Sequence, residues 1–280
     1  TASYPIVPGH EFSGRIAALG ANANGLSEGD PVVVECIQSC GVCPACTSDN
    51  PIGCADRTEL GVMRRDGAYA EYVTVPSRFV HRLPSGLPTE KATLAEPVAV
   101  ILKGLGRLQG HLASRPAPWH CAVLGAGPLG HICARILAHQ GHHVTAYDRN
   151  AARLALFDGT EIKTSALLEG LDAFDVLIEI TGDPDVLDAG LRKSSANASL
   201  LLLGLPYGER QFSFEAIAAY DKTIIGSVGS TAADFQAAIE LLPKLDLSEH
   251  LKCQLPLAEF EDGWRKARNG DVLKVILDAA

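Results

Sequence analysis

The chain has 280 residues, 47% hydrophobic and 20% charged, enough for two modest domains with cores of their own. Its charge is 24 − 33 = −9 with no basic cluster set against it, which excludes a phosphate-backbone partner such as nucleic acid. No run approaches the roughly 20 apolar residues of a membrane span, and no basic-then-apolar leader opens the sequence, so a cytoplasmic protein with no membrane partner is expected.

In chain order, the front is bracketed by glycines. VPGHEFSGRIAALG (7–20), GDPVVVEC (29–36) and DGAYAEYVTVP (66–76) read as strands and turns of a compact β-rich domain. His10 offers an imidazole ligand, Glu11 stands beside it, and Glu96 follows much later in LAEPVAV (94–100). Imidazole with carboxylate suits a zinc that keeps one position open for water or an alcohol oxygen. Taken alone, such a His–Glu neighbour pair also describes an ordinary satisfied polar pair.

Between these residues lies C-x2-C-x2-C-x7-C: Cys40, Cys43, Cys46 and Cys54. Four thiolates close a tetrahedral shell around zinc, and a closed shell leaves no place for substrate, so this knuckle is read as a structural zinc site. A redox pair or a chance cluster are the alternatives. Gly41, Pro44, Asn50, Pro51 and Gly53 supply the turn chemistry that a tight loop requires. Cys36 breaks the spacing and reads as a packed thiol.

The middle alternates strands with helices. CAVLGAGPLG (121–130) is an apolar strand running into G-x-G-x-x-G at Gly125, Gly127 and Gly130. Leu129, Ile132, Cys133, Ile136 and Leu137 then recur at helical spacing, with Pro128 in the first turn and Gly141 past the end. HHVTAYD (142–148) is the next strand and ends on Asp148, 148 − 125 = 23 residues beyond the first glycine. There a carboxylate accepts hydrogen bonds from the ribose hydroxyls of NAD and repels the 2′-phosphate of NADP. The pyrophosphate belongs over the helix start near Pro128 and Leu129. Arg149, the next residue, would soften the exclusion of NADP. The runs 174–181, 199–205 and 222–229 are nearly continuously apolar, as in a parallel sheet covered on both faces. Thr181, Gly204 and Val228 fall at their ends, where backbone is expected to frame the nicotinamide.

The order GHEFSG, cysteine knuckle, GAYAEY, LAEP, GAGPLG and Asp148 resembles the zinc-dependent medium-chain dehydrogenase/reductase family over nearly the whole chain. The resemblance implies an α/β protein: a Rossmann doubly wound parallel sheet plus a GroES-like β-rich catalytic domain. The boundaries follow as 1–97 for the first part of the catalytic domain, 98–229 for the NAD-binding domain and 230–280 for the return. It implies His10 and Glu96 as ligands of a catalytic zinc, with Glu11 in or beside the same shell. The glutamate in the EP sequence is similar to the polyol (sorbitol-type) and sugar branches. A secondary alcohol and its carbonyl are then the implied substrates, NAD the implied cofactor, and a homodimer or homotetramer the implied assembly. The family's first zinc ligand, a cysteine upstream of the GHE, and its adjoining proton relay have no counterpart here, because only nine residues precede His10. An N-terminally shortened version of a longer protein is therefore expected. A zinc-free NAD(P)H reductase of the same superfamily and a non-catalytic dinucleotide-binding protein with only the structural zinc remain the alternatives.

Overall fold

A computed structural model describes residues 4–48, 50–112, 115–205, 209 and 211–279. The chain divides into two compact units, Thr1–Leu102 with Gly229–Ala280, and Lys103–Val228.

The first unit opens with β1 (Ser13–Arg15), β2 (Pro31–Val34), β3 (Ile37–Gln38), β4 (Thr58–Leu60), β5 (Arg64–Arg65) and β6 (Val80–Arg82). Strands β1, β2 and β6 form one sheet in that order, all antiparallel, and β3, β4 and β5 form another. The β-branched run Val32-Val33-Val34 is buried throughout and anchors the first sheet. The short helix α1 (Pro44–Thr47) lies in the cysteine loop, with proline in its first turn, where no donor is missed. After α2 (Thr89–Ala92) comes α3 (Ala95–His111), whose Val98, Ile101, Leu105 and Leu108 are buried at three- and four-residue spacing.

The stretch 66–76, expected to supply a strand, holds none. Its backbone donors are taken elsewhere: Gly67, Ala68 and Tyr69 donate to the carbonyls of Val7, Gly9 and Pro8, at 2.7, 2.9 and 2.9 Å. They serve a loop clasp and not a sheet ladder.

The second unit is built on β7 (His120–Leu124), β8 (His143–Tyr147), β9 (Lys163–Ser165), β10 (Val176–Glu179), β11 (Ser199–Leu202) and β12 (Thr223–Gly226). They form one six-stranded sheet, ordered β12-β11-β10-β7-β8-β9, and every pair is parallel. The chain winds one way from β7 to β9 and the other way from β10 to β12, so the direction reverses between β7 and β10. Helix α4 (Pro128–His139) packs Ile132, Cys133, Ile136 and Leu137 inward, as its spacing predicts, and Gly141 ends it at φ +84°. Helices α5 (Ala151–Leu154), α6 (Pro184–Lys193) and α7 (Glu215–Ala218) complete the connections. Leu187 and Leu191 of α6 join Leu124, Leu177 and Leu200 in one core, each stabilising the fold by roughly 1.5–3 kcal/mol through burial. The edge strand β9, sequence KTS, has no apolar run that would announce it.

The return segment carries α8 (Ala232–Leu241), started by a reciprocal Thr231–Asp234 capping box. It continues through β13 (Cys253–Pro256), α9 (Phe260–Asn269) and β14 (Val275–Asp278), with β13 and β14 paired in parallel. Among the described residues, no helix is long and apolar enough to cross a membrane.

Candidate active site

In the knuckle, Gly41 turns the chain at φ +83°, Pro44 starts α1, and the Asn50 side chain accepts from Gly53 N–H to close the following turn. The result brings Cys40, Cys43, Cys46 and Cys54 together, with their sulfurs within 4.8 Å of one another. Cys40 Sγ lies 3.8 Å and Cys43 Sγ 3.5 Å from Cys46 Sγ. Thiolates about 2.3 Å from one zinc ion stand about 3.8 Å apart, so the spacing fits that metal. Cys46 is drawn down to about 6, first by a hydrogen bond with the Ser39 side chain, and Cys40 is lowered chiefly by the Val42 backbone. Both shifts favour the thiolate that binds metal, whereas Cys43 is pushed up to about 11, a backbone hydrogen bond at Cys46 being outweighed by the Cys46 side-chain contact and burial. Cys36 is a buried thiol directed at the Leu60 carbonyl, outside this group.

The second cluster lies in the same unit and is assembled differently. His10 and Glu11 belong to neither strand nor helix. Their backbone is set by contact with two other loops. Gly9 adopts φ +101°, which favours glycine, and a Cβ there would come 2.5 Å from the Tyr69 ring. A Cβ on Gly61 would come 2.6 Å from the Gly9 carbonyl oxygen, and one on Gly67 would come 2.2 Å from it. Three backbone segments thus meet with no side chain between them, and the Tyr69 hydroxyl accepts a hydrogen bond from Trp264 Nε1 at 3.1 Å. From this clasp the His10 and Glu11 side chains reach Glu96, in the first turn of α3, and the ligand atoms of all three lie within 4.8 Å of one another.

Charge in this cluster is tightly balanced. Glu96 is buried, and burial together with the Glu11 charge pushes its carboxyl up to about 8, against the pull of Lys274. Burial works against charge on Glu11 too, but the Lys274 ammonium in contact with it, together with His10, holds that carboxyl below its usual range. Burial lowers His10, which keeps its imidazole neutral and able to bind a metal. Lys274 comes from the far end of the chain, 263 residues from Glu11, just before β14. Sequence reasoning missed it, because nothing around an isolated lysine at that distance marks it. A cleft of about 1600 Å³ in this unit opens onto His10, Glu11, Tyr69 and Lys274.

In the second unit the glycine motif occupies the turn between β7 and α4. A Cβ on Gly130 would come 1.9 Å from the Gly125 carbonyl oxygen, so the helix starts hard against the strand end. Gly127 caps α4 and Pro128 and Leu129 begin it, and no side chain among the described residues caps this helix start, the kind of terminus at which backbone N–H groups can bind an anion. Asp148 follows β8. Its carboxylate accepts from Ala126 N–H in the glycine turn and from Asn150 N–H, each at 2.8 Å, and lies 3.5 Å from the Arg153 guanidinium. Arg149 is exposed, so Arg153 is the cation paired with Asp148. Thr181 packs its methyl group against Gly125, Gly204 sits against Gly182, and the Val228 carbonyl accepts from Lys103 Nζ at 2.7 Å. The sites of Thr181 and Gly125 flank the point where the strand order reverses, which is where open α/β sheets take their ligands.

The family described as Alcohol dehydrogenase GroES-like domain matches residues 1–85, and that described as Glucose dehydrogenase C-terminus matches 89–278. A sorbitol dehydrogenase of Halalkalibacterium halodurans is 30% identical over 297 residues, covering 98% of this chain and 83% of the relative. An L-threonine 3-dehydrogenase of Proteus mirabilis is 29% identical over 293 residues, covering 99% and 84%. Among solved structures, galactitol-1-phosphate dehydrogenase from Escherichia coli superposes with a TM-score of 0.85 at 27% identity, covering 98% of this chain and 85% of that one.

Proposed function

The chain belongs to the zinc-dependent medium-chain dehydrogenase/reductase family and is an oxidoreductase, and from that premise we propose that it interconverts a secondary alcohol of the polyol or sugar class and its carbonyl, with NAD(H) as the hydride carrier. The observation that carries this reading is the convergence of His10, Glu11 and Glu96. A buried carboxyl beside a second carboxylate and a neutral imidazole is a poor arrangement for a protein core and a good one for a dication.

His10 and Glu96 would hold a zinc ion, which when bound supplies Lewis-acid polarisation of a substrate oxygen. Glu11, in contact with Lys274, would tune that shell from beside it. The cysteine knuckle would hold a second, structural zinc. In the other unit, α4 presents its first-turn N–H groups to the dinucleotide pyrophosphate. Asp148 would take the ribose hydroxyls, already oriented by Ala126 and Arg153. The polyol class rests on Glu96 and on the sorbitol and galactitol-1-phosphate relatives. A cytoplasmic homodimer or homotetramer belongs to the same reading; Ile224 on the edge strand β12 is 38% exposed, as a pairing edge would be.

A zinc-free reductase of the same superfamily is the second reading. The contact between Lys274 and Glu11 favours it, because an ammonium already neutralises one of the three ligands.

Elemental analysis of the protein purified without chelator separates the two. Two zinc ions per chain are expected; one per chain would leave only the knuckle filled and favour the zinc-free reading. For the cofactor, Asp148→Ala is expected to weaken NADH binding and raise relative use of NADP, and unchanged selectivity would remove Asp148 from that role.

A further inference from the structure

Glu179 ends β10, is 2% exposed, and has no part in the chemistry above. Its carboxylate accepts the Thr181 N–H at 2.7 Å, the Gly182 N–H at 3.1 Å and the Thr181 hydroxyl. Its main-chain carbonyl accepts the N–H groups of Leu203 at 2.9 Å and Gly204 at 3.1 Å. Gly204 fits only because it lacks a side chain: a Cβ there would come 2.5 Å from the carboxylate and 2.2 Å from Gly182 N. Through Thr181 the contact extends further, since a Cβ on Gly125 would meet the Thr181 methyl at 2.7 Å. One carboxylate therefore fastens the turn after β10 and abuts the loop after β11. It also sets the threonine that rests on the glycine turn after β7.

A buried acid is a costly way to end a strand, because the charge must be compensated by donors. Three donors converge here, and bonds to a carboxylate are stronger and more directional than neutral ones. What they fix is the reversal point of the sheet, where backbone must keep one shape if a flat ring is to be held in one orientation.

We propose that Glu179 is a positioning residue for the nicotinamide half of the dinucleotide, acting through Thr181, Gly182 and Gly204. The inference rests on the reading of NAD(H) as cofactor. Asp148 holds the glycine turn on its other side, so the adenosine and nicotinamide halves depend on different carboxylates and are separable by experiment.

The test measures the dissociation constants of NADH and AMP, the shift in NADH fluorescence on binding, and Tm, for the wild-type chain, Glu179→Gln and Thr181→Val. In Glu179→Gln an amide N–H₂ replaces one acceptor oxygen and opposes the converging donors. NADH binding is expected to weaken about tenfold, AMP binding to stay within about twofold, and the fluorescence shift to shrink. Thr181→Val, which removes the hydroxyl donor to Glu179 and with it the acceptor of the Asp183 N–H at 2.8 Å, is expected to move NADH the same way by less. Equal weakening of NADH and AMP by Glu179→Gln would overturn the proposal, because it marks a general loss of fold. Wild-type NADH affinity and fluorescence in both variants would also overturn it. Should Glu179→Gln fail to fold, Thr181→Val decides by the same comparison. A wild-type chain that binds AMP but not NADH would reject the cofactor reading itself, and this proposal with it.

Discussion

The cysteine knuckle and the His10 cluster are both groups of side chains that could hold a metal ion in one compact unit, yet they are built in opposite ways. The knuckle draws its four ligands from fifteen consecutive residues, 40–54, and its geometry follows from one short helix and two turns. The His10 cluster draws on residues 10, 11 and 96, with Lys274 beside them, and needs the whole unit folded before it exists. The knuckle sets four sulfurs of one chemical kind around a common centre. The His10 cluster mixes a neutral imidazole, one carboxylate held down and another pushed up, with an ammonium already present. A closed, single-charge shell suits a structural role, and a shell with competing charges suits one that must gain and release ligands.

Substitutions can break that contrast. Cys43→Ser opens the closed shell and is expected to lower stability by roughly 4 kcal/mol or more, read as Tm and zinc content. A stable, folded variant with selectively lost turnover would contradict the division of roles. His10→Ala is expected to cut kcat/KM by about a thousandfold while Tm stays near that of the parent and zinc falls by one per chain. A collapse in stability instead would make this cluster the structural one. Lys274→Met strands Glu11 without its cation and is expected to destabilise the metal-free protein by about 2 kcal/mol. The zinc-loaded protein should lose less, because the metal replaces the missing charge. Equal losses in both states would mean that no metal reaches Glu11.

A further prediction concerns pH. Glu96 keeps its proton in the metal-free fold up to about 8, whereas the unfolded chain loses it in the ordinary carboxylate range. The folded state then binds the extra proton, so this contribution is complete at acid pH and declines as pH rises toward 8. Denaturant titration across that window should show the decline, and Glu96→Gln should flatten it. Zinc binding below pH 8 should release a proton, detectable by calorimetry in buffers of different ionisation heat. A proton count unaffected by Glu96→Gln would separate that carboxyl from the metal.

How much of this was legible in the sequence follows the same contrast. The knuckle, the strand–glycine–helix unit and Asp148 carry their signals within a few residues, and the fold class and the parallel sheet follow from continuous apolar runs. The strand β9 did not show, because three polar edge residues make no pattern. The stretch 66–76 alternates like a strand but spends its donors on the loop before His10. Lys274, Arg153 and Glu179 were invisible as site residues, since each gains its meaning only from a partner placed by tertiary structure. For His10, Glu11 and Glu96, single residues in weak local settings, the family resemblance supplied what spacing did not.

The meeting of Gly9, Gly61 and Gly67 bears on how damage to this protein would be distributed. None of the three offers a functional group, and two lie more than fifty residues along the chain from His10. Any side chain at 61 or 67 must push on the Gly9 carbonyl, one peptide unit from a candidate ligand. A saturation-mutagenesis map scored by turnover should therefore show three columns of near-complete intolerance at positions that no inspection for chemistry would choose. The same map scored by expression level should be far more forgiving there.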